Sequence, residues 1–159
     1  MKVKFKYDRE RPAIEIPEGF VLIQDTREQK PLFMPNDWIV DKKLDVGDYS
    51  ILGMEEMITI ERKSIPDLFG SLGKGRKRFD KELVRMAEEY EWAGLMIEGN
   101  ESKVMMRQDY STMTPNQIFH SLSSIESRGI HIYYADKVGY ARDWVLSRLT
   151  RFYIHAKRV

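Results

Sequence analysis

The sequence predicts an α/β protein with a mixed central sheet flanked by helices. Two patterns predict it. Apolar runs of strand length alternate with longer segments of helical period. The strand-like runs come first, and helix and strand then alternate. Size sets the scale: 159 residues, 42% hydrophobic and 32% charged, suit one globular core.

Residues 1–19 read as an N-terminal extension and residues 20–159 as the domain. Alternation in KVKFKY predicts a short edge strand that Pro12 and Pro17 then interrupt. GFVLIQDTRE is a buried strand ending near Asp25, and the prolines at 31 and 35 mark the loop after it. WIVDKKLDVGDYSIL and MITIERK read as two strands of a hairpin around Gly53. SIPDLFGSL starts a helix, with Ser64 as cap and Pro66 in the first turn. GSLGKGRKR interrupts it, and FDKELVRMAEEY resumes with Phe79, Leu83, Met86 and Tyr90 on one stripe. WAGLMIEG is a buried strand. TPNQIFHSLSSIESRG is a helix with a Thr-Pro-x-Gln start and a glycine stop. IHIYYA is a strand, and a last helix runs from Tyr140 to about Ile154.

Several classes are excluded. No apolar run is long enough to span a bilayer. The first residues lack the apolar core of a secretion signal. There is no cysteine, so disulfides, thiol catalysis and cysteine-ligated zinc are out. An intracellular protein is expected. The glycine-rich stretch lacks the Gly-Lys-Ser/Thr ending of a P-loop. His120, His131 and His155 show no ligand spacing.

Net charge is only +1, but it is unevenly spread. Lys74, Arg76, Lys77 and Arg78 cluster in one loop, and more cations collect near the C-terminus. Such a cluster is either a solvated face or a grip for phosphates.

The chemistry concentrates in ITIERKSIPD. Side chains alternate along a strand, so Glu61 and Lys63 share one face and Arg62 points to the other. Asp48 precedes Glu61 by twelve intervening residues, a distance a hairpin closes. Two carboxylates held together repel unless a cation separates them. Oxygen ligands of this kind suit Mg²⁺ or Mn²⁺. A turn aspartate and an ordinary surface ion pair are the plainer readings of the same residues.

Asp25, Arg27 and Glu28 in DTRE, Gly47-Asp48, and Glu61-Arg62-Lys63-x-x-x-Asp67 together carry a resemblance. The chain resembles the XPF/Hef/Mus-type family of structure-selective DNA endonucleases from about residue 20 to 155. The later MIEG and TPNQI resemble that family's core strand and following helix. The resemblance implies a restriction-endonuclease-like fold and hydrolysis of branched DNA in repair or recombination. It implies Asp48 and Glu61 as ligands of Mg²⁺ or Mn²⁺, with the Arg62 carbonyl and Asp25 assisting. Lys63 would orient the attacking water, and Asp67 and Arg27 would support the site. Lys74, Arg76, Lys77 and Arg78 would hold DNA. A non-catalytic scaffolding relative and a restriction or junction-resolving enzyme are the alternatives.

Relatives add helix-hairpin-helix or helicase domains. A stand-alone member is therefore expected to rely on a partner or on a homodimer of the nuclease domain. Trp144, Val145, Leu149 and Phe152, with Tyr140 and Tyr153, are the expected dimer surface.

Overall fold

The computed structural model describes residues 2–3 and 12–158. The rest of the expected KVKFKY strand lies outside the described residues. A two-stranded ribbon pairs β1 (Lys2–Val3) with β2 (Ile14–Glu15). Ile14 and Ile16 are buried in the main core, so this part of the extension packs on the domain.

The central sheet has six strands. They are β3 (Leu22–Gln24), β4 (Ile39–Asp41), β5 (Tyr49–Ile51), β6 (Ile58–Ser64), β7 (Trp92–Glu98) and β8 (His131–Tyr134). Their spatial order is β4-β3-β5-β6-β7-β8. β5 runs antiparallel to β3 and β6, while β3–β4, β6–β7 and β7–β8 are parallel. The hairpin expected around Gly53 is β5–β6. The long strand expected from Trp38 to Leu52 is in fact two. β4 crosses to the far edge beside β3, and the chain returns through a turn at Gly47 before β5 begins.

Among the described residues, five helices complete the fold: α1 (Ile65–Leu72), α2 (Arg76–Glu89), α3 (Glu101–Val104), α4 (Pro115–Ser127) and α5 (Val138–Lys157). Ser64 caps α1 by accepting the Asp67 amide at 3.2 Å. Thr114 and Gln117 form the expected capping box on α4. α2 starts earlier than its apolar stripe suggested. Only Gly73 to Gly75 break the helical run, so Arg76, Lys77 and Arg78 belong to a helix and not to a loop. No described helix is long and apolar enough to cross a membrane.

The sheet is covered on both faces, which explains its apolar strands. Ile58, Ile60 and Met96 meet α5 on one face. Ala93, Leu95 and Ile97 meet α1, α2 and α4 on the other. Trp144, Val145 and Leu149 are part of the first core, and Phe152 and Tyr153 pack half-buried against it. The C-terminal stripe therefore covers the sheet. Phe20 edge-on to Tyr153 and Tyr133 stacked on Trp144 use aromatic surface that was expected to be free.

Candidate active site

β6 delivers the site by alternation. Glu61 and Lys63 face the α1–α2 side, and Arg62 faces the α5 side. Lys63 Nζ stands 3.8 Å from Glu61 Oε1 and 5.0 Å above the Phe79 ring of α2. Asp48 is brought to them by a built turn. Thr59 Oγ1 donates to the Val46 carbonyl at 2.8 Å, and the Asp48 amide donates to the Ile60 carbonyl at 2.8 Å. Gly47 has a φ of 81°, where a side chain is strained. A Cβ there would also collide with Thr59 Oγ1.

The Arg62 amide then donates to Asp48 Oδ2 at 2.8 Å. An amide and carbonyl of one strand residue point to the same edge, so the Arg62 carbonyl is aimed to the Asp48 side of β6. β5 has already left: its register with β6 is Tyr49 opposite Ile60 alone.

Asp48, Glu61 and Lys63 form the floor of a cleft of about 750 Å³. Arg27 and Asp45 stand on one wall, and Asp67, Arg78 and Glu82 on the other. The floor is crowded with acid. Burial, resisted by the Arg62 amide but helped by the Glu28 and Glu82 charges, pushes the Asp48 carboxyl up to about 7. Burial and the charges of Asp48 and Glu82 also push Glu61 well above the ordinary carboxylate range. Lys63, 3.8 Å from Glu61, offsets only part of this repulsion.

Among the described residues, no three His, Cys, Asp or Glu side chains form a ready metal-binding group. Two carboxylates and an aimed carbonyl nonetheless fit Mg²⁺, which keeps several waters and takes few protein ligands. The repulsion between Asp48 and Glu61 is what a divalent cation relieves.

The other expected residues divide. Asp25 is buried, and both its oxygens are committed. Oδ1 accepts the Arg27 amide and Nε, each at 2.8 Å, and Oδ2 accepts Arg27 Nη2 at 2.9 Å and the Leu44 amide at 2.7 Å. Burial works to raise its pKa, but these bonds outweigh it and hold the carboxyl low. Its geometry is that of a brace that fixes Arg27 on the rim. The Arg62 side chain turns away from the cleft. It pairs with Glu28 at 2.7 Å, donates to Glu98, and lies 3.3 Å from the Tyr49 hydroxyl. Burial opposes its charge, but Tyr49, Glu98 and Glu28 outweigh this and keep it charged. Asp67, exposed at the start of α1, faces the cleft.

Of the four expected DNA-binding cations, only Arg78 lines the cleft. Arg76 is drawn to the Ser121 hydroxyl at 3.0 Å, and Lys74 and Lys77 are exposed outside it. Lys81 and Arg85 belong to the basic stretch of the sequence, with Glu82 among its acids, but neither they nor Glu82 and Glu98 were expected at the site. Their signal lies in helix and strand register: 78, 81, 82 and 85 share one face of α2, next to the buried Phe79–Leu83–Met86 stripe.

The model of the ERCC4 domain matches residues 38–147, more than half of the chain. This chain belongs to the ERCC4 domain family. The matched part of this ERCC4 domain contains Asp48, Glu61, Lys63 and Asp67, while Asp25 and Arg27 precede it. No curated protein matches. Two solved structures share the fold. XPF from Aeropyrum pernix is 22% identical with a TM-score of 0.63, covering 84% of this chain and 64% of its own. XPF from Aeropyrum pernix in complex with DNA is 21% identical with a TM-score of 0.65, covering 86% and 66%. The chain thus spans about two-thirds of the length of the XPF chains it resembles. The mixed six-stranded sheet is the XPF nuclease-domain fold.

Proposed function

We propose that this ERCC4 domain is a metal-dependent endonuclease that hydrolyses phosphodiester bonds in branched DNA. The observation that carries the reading is the meeting of Asp48, Glu61 and Lys63 at the floor of one cleft. The DNA-bound XPF structure with the same fold supports DNA as the partner.

Asp48, Glu61 and the Arg62 carbonyl would hold Mg²⁺ or Mn²⁺. The bound ion supplies Lewis-acid polarisation of the phosphate and lowers the pKa of water. Lys63, held by Glu61 and the Phe79 ring, orients the attacking water and offsets charge developing on the phosphoryl oxygens. Arg27, braced by Asp25, meets the neighbouring phosphate from the rim. Asp67 shapes the far side of the cleft. The Glu82 charge adds to the repulsion that a bound cation would relieve.

Purified protein incubated with labelled flap, fork, junction and single-stranded DNA in Mg²⁺ or Mn²⁺ is expected to cut branched DNA. Asp48→Ala and Lys63→Ala should each lose at least about a hundredfold in rate. Cleavage that survives both changes, or none by the wild type, ends the reading. A scaffolding relative would show no Mg²⁺ heat in calorimetry that depends on Asp48 and Glu61. Sequence-dependent cutting of unbranched duplex would instead indicate a restriction-type enzyme.

A homodimer of this domain is proposed as well. Its support is the edge of β8, which pairs with no further strand among the described residues and where Ile132, Tyr133 and Tyr134 are only half-buried. An apolar edge of this kind favours pairing with another chain. Sedimentation equilibrium at micromolar concentration should give more than 18.8 kDa. A concentration-independent monomer refutes it.

A further inference from the structure

We propose that one face of α2, formed by Arg78, Lys81 and Arg85, is the phosphate-binding surface of the cleft; the inference rests on DNA being the ligand. The three positions are separated by three and four residues, which places them on one side of the helix. All three line the cleft, together with Glu82 between them. Their Cα atoms span about 10 Å of helix at 1.5 Å per residue. A strand of B-DNA carries a phosphate about every 3.4 Å of axis, so this face meets more than one.

The rest of α2 fixes the direction of that face. Phe79, Leu83 and Met86 are buried against the sheet, so the helix cannot roll. Arg76 lies on the far side and is tied to Ser121 and to the Leu72 carbonyl. Lys74 and Lys77 lie outside the cleft lining. The sequence run of basic residues is therefore not the surface. A helical subset of it, extended to Lys81 and Arg85, is.

The charges on this face are available. Among the described residues, neither Arg78 nor Lys81 forms an ion pair. Arg85 holds only an exposed pair with Glu89 at 3.2 Å. Such pairs contribute little and are readily exchanged for a phosphate. The acid on the same face, Glu82, is one carboxylate against three cations. There is also an electrostatic need. Asp48 and Glu61 outnumber Lys63 on the floor, and Glu82 adds an acid from the wall, so an approaching polyanion meets repulsion unless the wall also carries cations.

The test measures binding of a fluorescent fork DNA by anisotropy, in EDTA to prevent cutting, from 50 to 300 mM salt. Arg78→Ala/Lys81→Ala/Arg85→Ala should reduce the slope of log K against log salt by about 2 to 3, at roughly 0.7 to 0.9 per lost contact. Arg78→Gln and Lys81→Gln singly should each reduce it by about one contact, which guards against a triple variant that fails to fold. Lys74→Ala/Lys77→Ala should leave the slope unchanged. An unchanged slope in the α2 variants, or an equal loss in the Lys74/Lys77 variant, overturns the inference. If the wild type shows no salt-dependent binding at all, the DNA reading itself falls. Mg²⁺ calorimetry on the α2 triple variant should match the wild type, and a lost metal heat would show that these residues shape the floor instead.

Discussion

Arg62 decides how the motif is divided between chemistry and architecture. Glu61 and Lys63, its neighbours on β6, face the cleft, whereas Arg62 faces the α5 side, where Glu28 and Glu98 converge on it. Its side chain is only 12% exposed and that of Glu28 17%, so this pair is largely withdrawn from water. Removing one partner of a buried pair leaves the others unpaired, which costs about 3 kcal/mol or more. Arg62→Ala is therefore expected to lower the urea midpoint by an amount equivalent to roughly 3 kcal/mol. Glu98→Gln should cost less, because Glu28 remains on the guanidinium and Glu98 is 35% exposed. A change below about 1 kcal/mol in Arg62→Ala would show the network to be a surface pair. Sequence alternation located Arg62 on this face but named none of its partners. Glu28 and Glu98 lie 34 and 36 residues away, and no local pattern reports such pairings.

At the scale of the element, the turn from Val46 to Asp48 sets the geometry. Asp48 reaches the floor because Gly47 takes a positive φ with Thr59 Oγ1 packed where its Cβ would be. Gly47→Ala meets both objections at once, backbone strain and a steric clash. It should destabilise by more than the roughly 1 kcal/mol of an ordinary Gly→Ala conflict and weaken Mg²⁺ binding together with activity. A variant with wild-type stability and Mg²⁺ affinity would refute this role for the turn.

The same scale shows what the sequence exposed and what it hid. The β5–β6 hairpin, the Ser64 cap and the α4 capping box were legible because each depends on residues close together in the chain. The split between β4 and β5 was not, because β4 chooses its partner β3 across fifteen residues. The start of α2 lies earlier for a local reason: the three glycines of GSLGKGRKR look like a long break, yet Arg76 already continues helically. Asp25 was recognised as buried-strand punctuation, but not that Arg27 folds back to saturate it.

At the scale of the whole molecule, the acid floor ties folding to pH and, on the proposed function, to metal. In the metal-free fold Asp48 titrates at about 7, against 3.8 ordinarily, because of burial above all. Between those values the folded chain keeps a proton that the unfolded chain has lost. Stability must therefore fall as pH rises from about 4 to 7, then level off. Glu61 is raised as well and acts in the same direction. Asp25 is lowered, so its contribution is fully present above 3.8 and is lost only at more acid pH, outside this window. A bound divalent cation favours the charged carboxylates, and ligand that binds only the folded state adds stability by mass action. In EDTA, the melting temperature of the wild type should decline from pH 5 to 7, while Asp48→Asn/Glu61→Gln should be flatter over the same range. Saturating Mg²⁺ should raise the wild-type melting temperature more at pH 8 than at pH 5 and leave the double variant unmoved. Parallel pH profiles for the two proteins in EDTA, or an equal Mg²⁺ effect on both, would show that Asp48 and Glu61 are neither the strained pair nor the metal's seat.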